Sequence, residues 1–111
     1  MRLQGQSEPQ PDLAVVSNRS YLDAHPGPED VHLLIEVADT SLTYDRTVKV
    51  PLNARHGIPE VWLIDLPGET VEVYREPSPD GYRHLRRYGP GQRIQSLRVP
   101  EVELDPVELF R

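Results

Sequence analysis

A nearly continuous apolar run at positions 31–37, Val-His-Leu-Leu-Ile-Glu-Val, constrains the fold of this chain more than any other feature. Short apolar runs of this kind form strands that are covered on both faces, so we predict a central strand here. Glu36 is the exception within the run, because a carboxylate inside a buried strand is costly unless a partner neutralises it. The strand therefore needs a metal ion, a basic side chain or hydrogen-bond donors beside Glu36.

The other apolar segments are short, and prolines and glycines separate them, which predicts further strands. They lie at positions 13–16, 61–64, 71–75 and 82–88, with a hairpin turn at 77–81 before the last of them. Ile94, Leu97 and Val99 predict one more short strand.

Helix signals occur at two places in the chain. The first helix is predicted from about Tyr44 to His56, with Thr43 or Asp45 as its cap, a kink at Pro51 and an end at Gly57. A short terminal helix is predicted to start at Asp105-Pro106. The order of elements gives an α/β or α+β domain around a mixed sheet. The length suggests one domain over residues 1–111, with residues 1–10 as a polar lead-in.

Charge and composition narrow the class of function. The formal net charge of −6 counts against a simple DNA-binding module, which clusters Lys and Arg against phosphates. It counts less against a metal-dependent nuclease, in which bound cations supply positive charge. The chain has no cysteine, which excludes disulfides and zinc–thiolate sites. No apolar stretch approaches the ~20 residues that cross a bilayer, and the polar N-terminus lacks the apolar centre of a signal peptide. We therefore expect no membrane partner and a cytoplasmic location.

Asp12 and Glu36 are the candidate metal-binding acids. Asp12 precedes the first predicted strand and Glu36 lies near the end of the second, so neighbouring strands would bring both carboxylates to one edge of the sheet. Two such groups repel each other unless a divalent cation lies between them. From residue type alone, the simpler interpretation is that Asp12 is a turn residue and Glu36 an exposed strand end.

Lys49 is the candidate basic partner of these acids. Asp45, Lys49 and Asn53 are four residues apart and share one helix face, whereas Val48 and Leu52 are expected to pack on the sheet. Lys49 could point towards the acids and stabilise charge on a phosphate. An Asp45–Lys49 ion pair on the surface explains the spacing more simply.

The remaining polar candidates are weaker. None of the four histidines has metal-ligand spacing, and loop or surface roles are expected for all of them: His25, His32, His56 and His84. One stretch combines basic and aromatic side chains and could contact phosphates, although a solvated strand face is the simpler interpretation: Tyr82, Arg83, Arg86, Arg87 and Tyr88. Trp62, within an apolar strand, is predicted to lie in the core.

Several segments, taken in order and spacing, resemble the Uma2 family of the PD-(D/E)XK nuclease superfamily. The resemblance extends from Ser7 to Phe110 and is specific only in combination. It rests on positions 11–16, 36–46, 49, 54–55, 57–65, 71–75 and 108–110.

This resemblance implies a restriction-endonuclease-like mixed β-sheet with a helix after the second core strand and a C-terminal β-meander. It implies that Asp12 and Glu36 bind Mg²⁺ or Mn²⁺ and that the protein is a metal-dependent endonuclease hydrolysing phosphodiester bonds in DNA. The superfamily's usual lysine position holds Ala38 here, and the family's lysine on the following helix falls on Lys49. Asp45 is implied as the partner that orients Lys49.

Two departures from the family pattern lead to an alternative. Asn53 stands where members usually have tyrosine, and members carry a longer N-terminal part with helices and a strand pair. We expect this domain to be a partial one whose apolar surface is covered by self-association, as a homo-oligomer. The alternative function is therefore a truncated, non-catalytic remnant that acts as a folded or oligomerising interaction domain.

Overall fold

A five-stranded mixed sheet is the main feature of the computed structural model, which describes residues 13–16 and 28–110. The strands lie in chain order across the sheet: β1 (Leu13–Val16), β2 (Val31–Ala38), β3 (Glu60–Asp65), β4 (Thr70–Ser78) and β5 (Gly81–Tyr88). Strands β2 and β3 run parallel, and the other neighbouring pairs are antiparallel. A parallel pair needs a crossover connection, and the helix between β2 and β3 supplies it.

This crossover helix, α1 (residues 42–55), consists of three consecutive segments. An α-helical turn, Leu42–Tyr44, is followed by a π-helical turn, Asp45–Lys49, and a second α-helical segment, Val50–Arg55. The helix begins earlier than predicted, with Ser41 at its N-cap position. Pro51 is in the first turn of the last segment, so the predicted irregularity takes the form of the π turn before it. Gly57, with φ 77°, follows the helix end as predicted.

One face of the sheet, called the helix face below, packs against α1. Its buried core consists of Leu34, Ala38, Val50, Ile58, Val61, Leu63 and Tyr74. The prediction that Val48 packs on the sheet is wrong, because 41% of its surface is exposed. The π turn changes which residues face the sheet, and Val50 and Ala54 take that place with 3% exposure each.

The opposite face is covered by the C-terminal segment. Here β6 (Ile94–Gln95) pairs with β7 (Glu103–Leu104), and the helix α2 (Val107–Phe110) follows. The buried core on this side consists of Leu33, Trp62, Ile64, Val71, Val73 and Ile94. Trp62 is 1% exposed, as predicted for a core residue, whereas Leu97 is 57% exposed and lies outside the short strand expected to contain it. The backbone N–H of Val107 donates to Asp105 Oδ1 over 3.0 Å, which is the predicted helix cap.

Glu60 explains why the C-terminal segment docks on this face. Its fully buried carboxylate accepts hydrogen bonds from Trp62 Nε1 at 2.8 Å and from Arg75 Nε at 2.9 Å. Its other oxygen accepts from Ser96 Oγ at 3.1 Å and from the backbone N–H of Leu97 at 2.9 Å. Arg75 therefore compensates the buried charge within the sheet, whereas the donors to the second oxygen come from the segment after β5.

The architecture is the mixed-sheet α+β fold that the sequence predicts. Strand β2 lies between β1 and β3, and Leu33 and Leu34 are buried on its two faces. Towards its end, Val37 is 43% exposed, so β2 is less completely covered than a continuous apolar run predicts. In the part of the chain that the structure describes, no helix is both long and apolar enough to cross a membrane.

Candidate active site

Glu36 of β2 and Lys49 of α1 form an ion pair on the helix face of the sheet. Lys49 Nζ donates to Glu36 Oε1 over 2.7 Å and lies 3.5 Å from Asp45 Oδ1. The side chains of Glu36, Asp45 and Lys49 are 2%, 4% and 14% exposed. The partner that a carboxylate in a buried strand requires is therefore supplied by a lysine 13 positions along the chain.

The π turn brings the two helix residues to the sheet together. The backbone N–H of Val50 bonds to the carbonyl of Asp45, which is the wider spacing of a π turn. The predicted contact between Asp45 and Lys49 is present, but the simpler interpretation, an ion pair on the surface, is wrong, since both side chains are largely buried against β2. Single π turns within α-helices are frequent at functional sites.

Electrostatics keep Lys49 charged. Burial lowers the pKa of Lys49, but the hydrogen bond to Glu36 and the charges of Glu36 and Asp45 outweigh burial and raise that pKa above its usual value. Ser41 contributes from the helix start, because its Oγ donates to Asp45 Oδ2 over 2.9 Å and fixes the other oxygen towards Lys49. Ser41 was not among the site residues predicted from the sequence, although its four-residue spacing from Asp45 indicated a possible contact.

The second predicted acid, Asp12, lies outside the described residues. Leu13, which follows it in the chain, pairs with Ile35, which precedes Glu36. Among residues 13–16 and 28–110, no three histidine or acidic side chains converge into a group that could hold a metal ion. The donor chemistry at Glu36, a carboxylate oxygen, is of the type that Mg²⁺ and Mn²⁺ take together with water.

A second buried carboxylate, Glu72 of β4, lies on the same face. The strand register places Glu36 opposite Leu63 on β3, and Leu63 opposite Glu72. Glu72 is fully buried. Along β4, Val71 and Val73 alternate with Glu72 and Tyr74, which is typical of a strand with two distinct faces. The alternation does not show that the face with Glu72 is buried as well.

Three side chains donate to Glu72. Arg46 of α1 donates through Nε to Oε1 at 3.1 Å and through Nη2 to Oε2. Tyr74 OH donates to Oε1 over 2.5 Å, and Arg87 Nη2 of β5 donates to Oε2 over 3.2 Å. Burial raises the pKa of the Glu72 carboxyl, but these hydrogen bonds outweigh burial and hold the pKa below its usual value. Glu72 therefore carries a negative charge that links α1 and β5 to the centre of the sheet.

The sheet, its crossover helix and the buried acid–lysine pair define a restriction-endonuclease-like α+β protein. The sequence matches the Uma2 family model, described as "Putative restriction endonuclease", over residues 1–107. Since this match covers nearly the whole chain, the protein belongs to the Uma2 family, which confirms the resemblance drawn from the sequence. No curated protein matches the chain.

Proposed function

We propose that this protein is a metal-dependent endonuclease that hydrolyses phosphodiester bonds in DNA. The observation that carries the proposal is the buried pair of Glu36 and Lys49, whose atoms Oε1 and Nζ lie 2.7 Å apart, in a member of the Uma2 family. Lys49 is the only lysine of the chain. Its contact with a buried carboxylate of the central sheet is therefore not one of many similar lysine contacts.

Asp12 and Glu36 are the proposed ligands of Mg²⁺ or Mn²⁺. Both offer the carboxylate oxygens that these cations prefer. The pairing of Leu13 with Ile35 supports this choice, because each acid is the chain neighbour of one of these two residues. When bound, the cation would lower the pKa of a water molecule and neutralise charge on the scissile phosphate.

Lys49 is proposed to orient the attacking water or to stabilise negative charge that develops on the phosphate. A lysine ammonium ordinarily carries its charge at neutral pH, which suits electrostatic stabilisation rather than the role of a general base. Asp45, held by Ser41, would orient Lys49.

Cleavage of supercoiled plasmid in the presence of Mg²⁺ or Mn²⁺ tests the proposal. Asp12→Asn, Glu36→Gln and Lys49→Met are each expected to reduce the rate by roughly 100-fold or more. Asp45→Asn is expected to reduce it by about 10-fold to 100-fold, because Asp45 acts through Lys49. Glu101→Gln and Arg98→Met remove exposed charges elsewhere and are expected to cleave like the parent.

The controls separate three outcomes. If Glu36→Gln cleaves as fast as the parent protein, the assignment of the site is wrong. If the parent does not cleave and calorimetric titration with Mn²⁺ gives no heat that depends on Glu36, the non-catalytic interaction domain becomes the better explanation.

A further inference from the structure

Glu72 holds two arginines side by side next to the candidate active site. Arg46 reaches it from α1 and Arg87 reaches it from β5, and both guanidinium groups donate to the same oxygen, Oε2. The carboxylate is fully buried, whereas the side chains of Arg46 and Arg87 are 38% and 55% exposed. A rigid, buried anchor therefore fixes two cations at the surface.

The two arginines retain donors that Glu72 does not use. Arg46 bonds through Nε and Nη2 and Arg87 through Nη2, and the remaining N–H groups have no partner among the residues that the structure describes. Two guanidinium groups facing one carboxylate leave one positive charge in excess. Asp65 attracts Arg46 at longer range, but its Oδ1 accepts a hydrogen bond from the backbone of Gly68.

The need to hold α1 against the sheet does not explain why two arginines contact Glu72. Arg46 with its two hydrogen bonds, together with Tyr74, already compensates Glu72. Arg87 adds one long hydrogen bond of 3.2 Å and keeps more than half of its side chain in solvent. In a chain of net charge −6, a paired arginine site on the same face as Glu36 and Lys49 is locally complementary to an anion.

We propose that Arg46 and Arg87 together bind a phosphodiester group of the DNA backbone and hold the strand beside α1, next to Glu36 and Lys49. Planar guanidinium groups with free N–H edges match the oxygens of a phosphate. Glu36 and Glu72 are separated by one intervening strand, a distance of about 10 Å from two strand spacings. The arginine pair would therefore bind the DNA backbone at a phosphate close to the one that is cleaved. This inference rests on the proposed function for the choice of DNA.

The test is a binding measurement that does not require cleavage. The full chain is titrated into a fluorescein-labelled random-sequence DNA duplex in EDTA, at salt concentrations between about 50 and 200 mM. Arg87→Gln is expected to weaken binding about fivefold to tenfold near 0.1 M salt and to reduce the slope of log affinity against log salt by about 0.9. Arg87→Lys, which keeps the charge, is expected to restore the slope.

Arg83→Gln and Arg86→Gln are the matched controls. They make the same charge change on the same exposed strand, and neither residue contacts Glu72. We expect both to stay close to the parent slope, and we expect Arg87→Gln to unfold thermally close to the parent temperature. The inference is overturned if the three variants change the slope equally, if Arg87→Gln changes nothing, or if the parent does not bind DNA. A parent that binds through Arg87 but does not cleave plasmid would contradict the proposed function and leave this inference standing.

Discussion

Three glutamates of the sheet are almost completely buried, and each is compensated in a different way. Glu36 is paired with a lysine, Glu60 accepts bonds from an indole, an arginine, a hydroxyl and a backbone amide, and Glu72 accepts from two arginines and a tyrosine. A buried carboxylate without such partners would be strongly destabilising. Of the three, only Glu36 shares its basic partner, Lys49, with a second carboxylate, that of Asp45. This arrangement distinguishes the candidate active site.

Stability should depend on pH through Glu72. Its folded-state pKa lies below the usual 4.5, so the carboxylate stabilises the fold above that pH, and the contribution is lost as the pH falls through the lowered value. Near neutral pH, Glu72→Gln is expected to reduce the free energy of unfolding by about 2 kcal/mol, because Arg46, Tyr74 and Arg87 lose their charged acceptor.

Urea unfolding of the parent and of Glu72→Gln across the acid range measures this effect. The difference between the two proteins should shrink as the pH drops below 4.5. Glu101→Gln, an exposed position, is the control and should follow the parent throughout. A difference between parent and Glu72→Gln that does not vary with pH would contradict the role given to the charge of Glu72.

At the scale of elements, the π turn of α1 is the decisive local feature. It brings Asp45, Arg46 and Lys49 into contact with the sheet, so that one turn of the helix supplies the basic partners of both Glu36 and Glu72. The sequence predicted an irregularity from Pro51 but placed Val48 on the sheet, since a regular helical spacing was assumed. The observed spacing is the one at which Lys49 and Arg46 of the helix contact Glu36 and Glu72 of the sheet.

Deletion of Thr47 should convert the π turn into a regular α-helical one. Removing one residue shortens the spacing between Asp45 and Lys49 from four positions to three. On a regular helix the two side chains are then about 60° apart, and they no longer have the spacing that places both beside Glu36. We expect plasmid cleavage to be lost while far-ultraviolet circular dichroism still shows a folded chain.

A spectroscopic measurement checks the position of Lys49 without relying on DNA cleavage. Reductive methylation attaches carbon-13 methyl groups to lysine side chains, and Lys49 is the only lysine of the chain. The chemical shift of these methyl groups reports on whether the Lys49 side chain is buried. The deletion should move this shift towards that of an exposed lysine. Thr47→Ala keeps the chain length and removes only the hydrogen bond from Thr47 Oγ1 to the carbonyl of Thr43, so it should keep the parent shift.

At the scale of the whole molecule, the sheet is covered by α1 on one face and by the segment after β5 on the other. Both covers are attached through buried glutamates of the sheet, Glu60 on one face and Glu72 on the other. The predictions of one domain, of a homo-oligomer and of a cytoplasmic location stay predictions.

Unfolding of the two faces should be coupled if the chain forms one domain. Trp62, the only tryptophan, is 1% exposed and reports on the face covered by the C-terminal segment, whereas circular dichroism of the helix reports on the other. We expect coincident transitions in urea by tryptophan fluorescence and by circular dichroism. A fluorescence change that clearly precedes the loss of helix signal would show that the C-terminal segment opens independently.

The sequence by itself determined the order and type of the strands, because apolar runs, turn residues and helix-end signals act over a few neighbouring positions. It also determined that Glu36 needs a partner, since the cost of a buried charge follows from the strand around it. The tertiary structure decided which partner that is. The contacts of Lys49 with Glu36 and of Arg46 with Glu72 join residues 13 and 26 positions apart, and they exist only in one strand register with one helix rotation. The burial of Glu72 was not predictable from the sequence, because a period of two separates the faces of a strand without telling which face another element will cover.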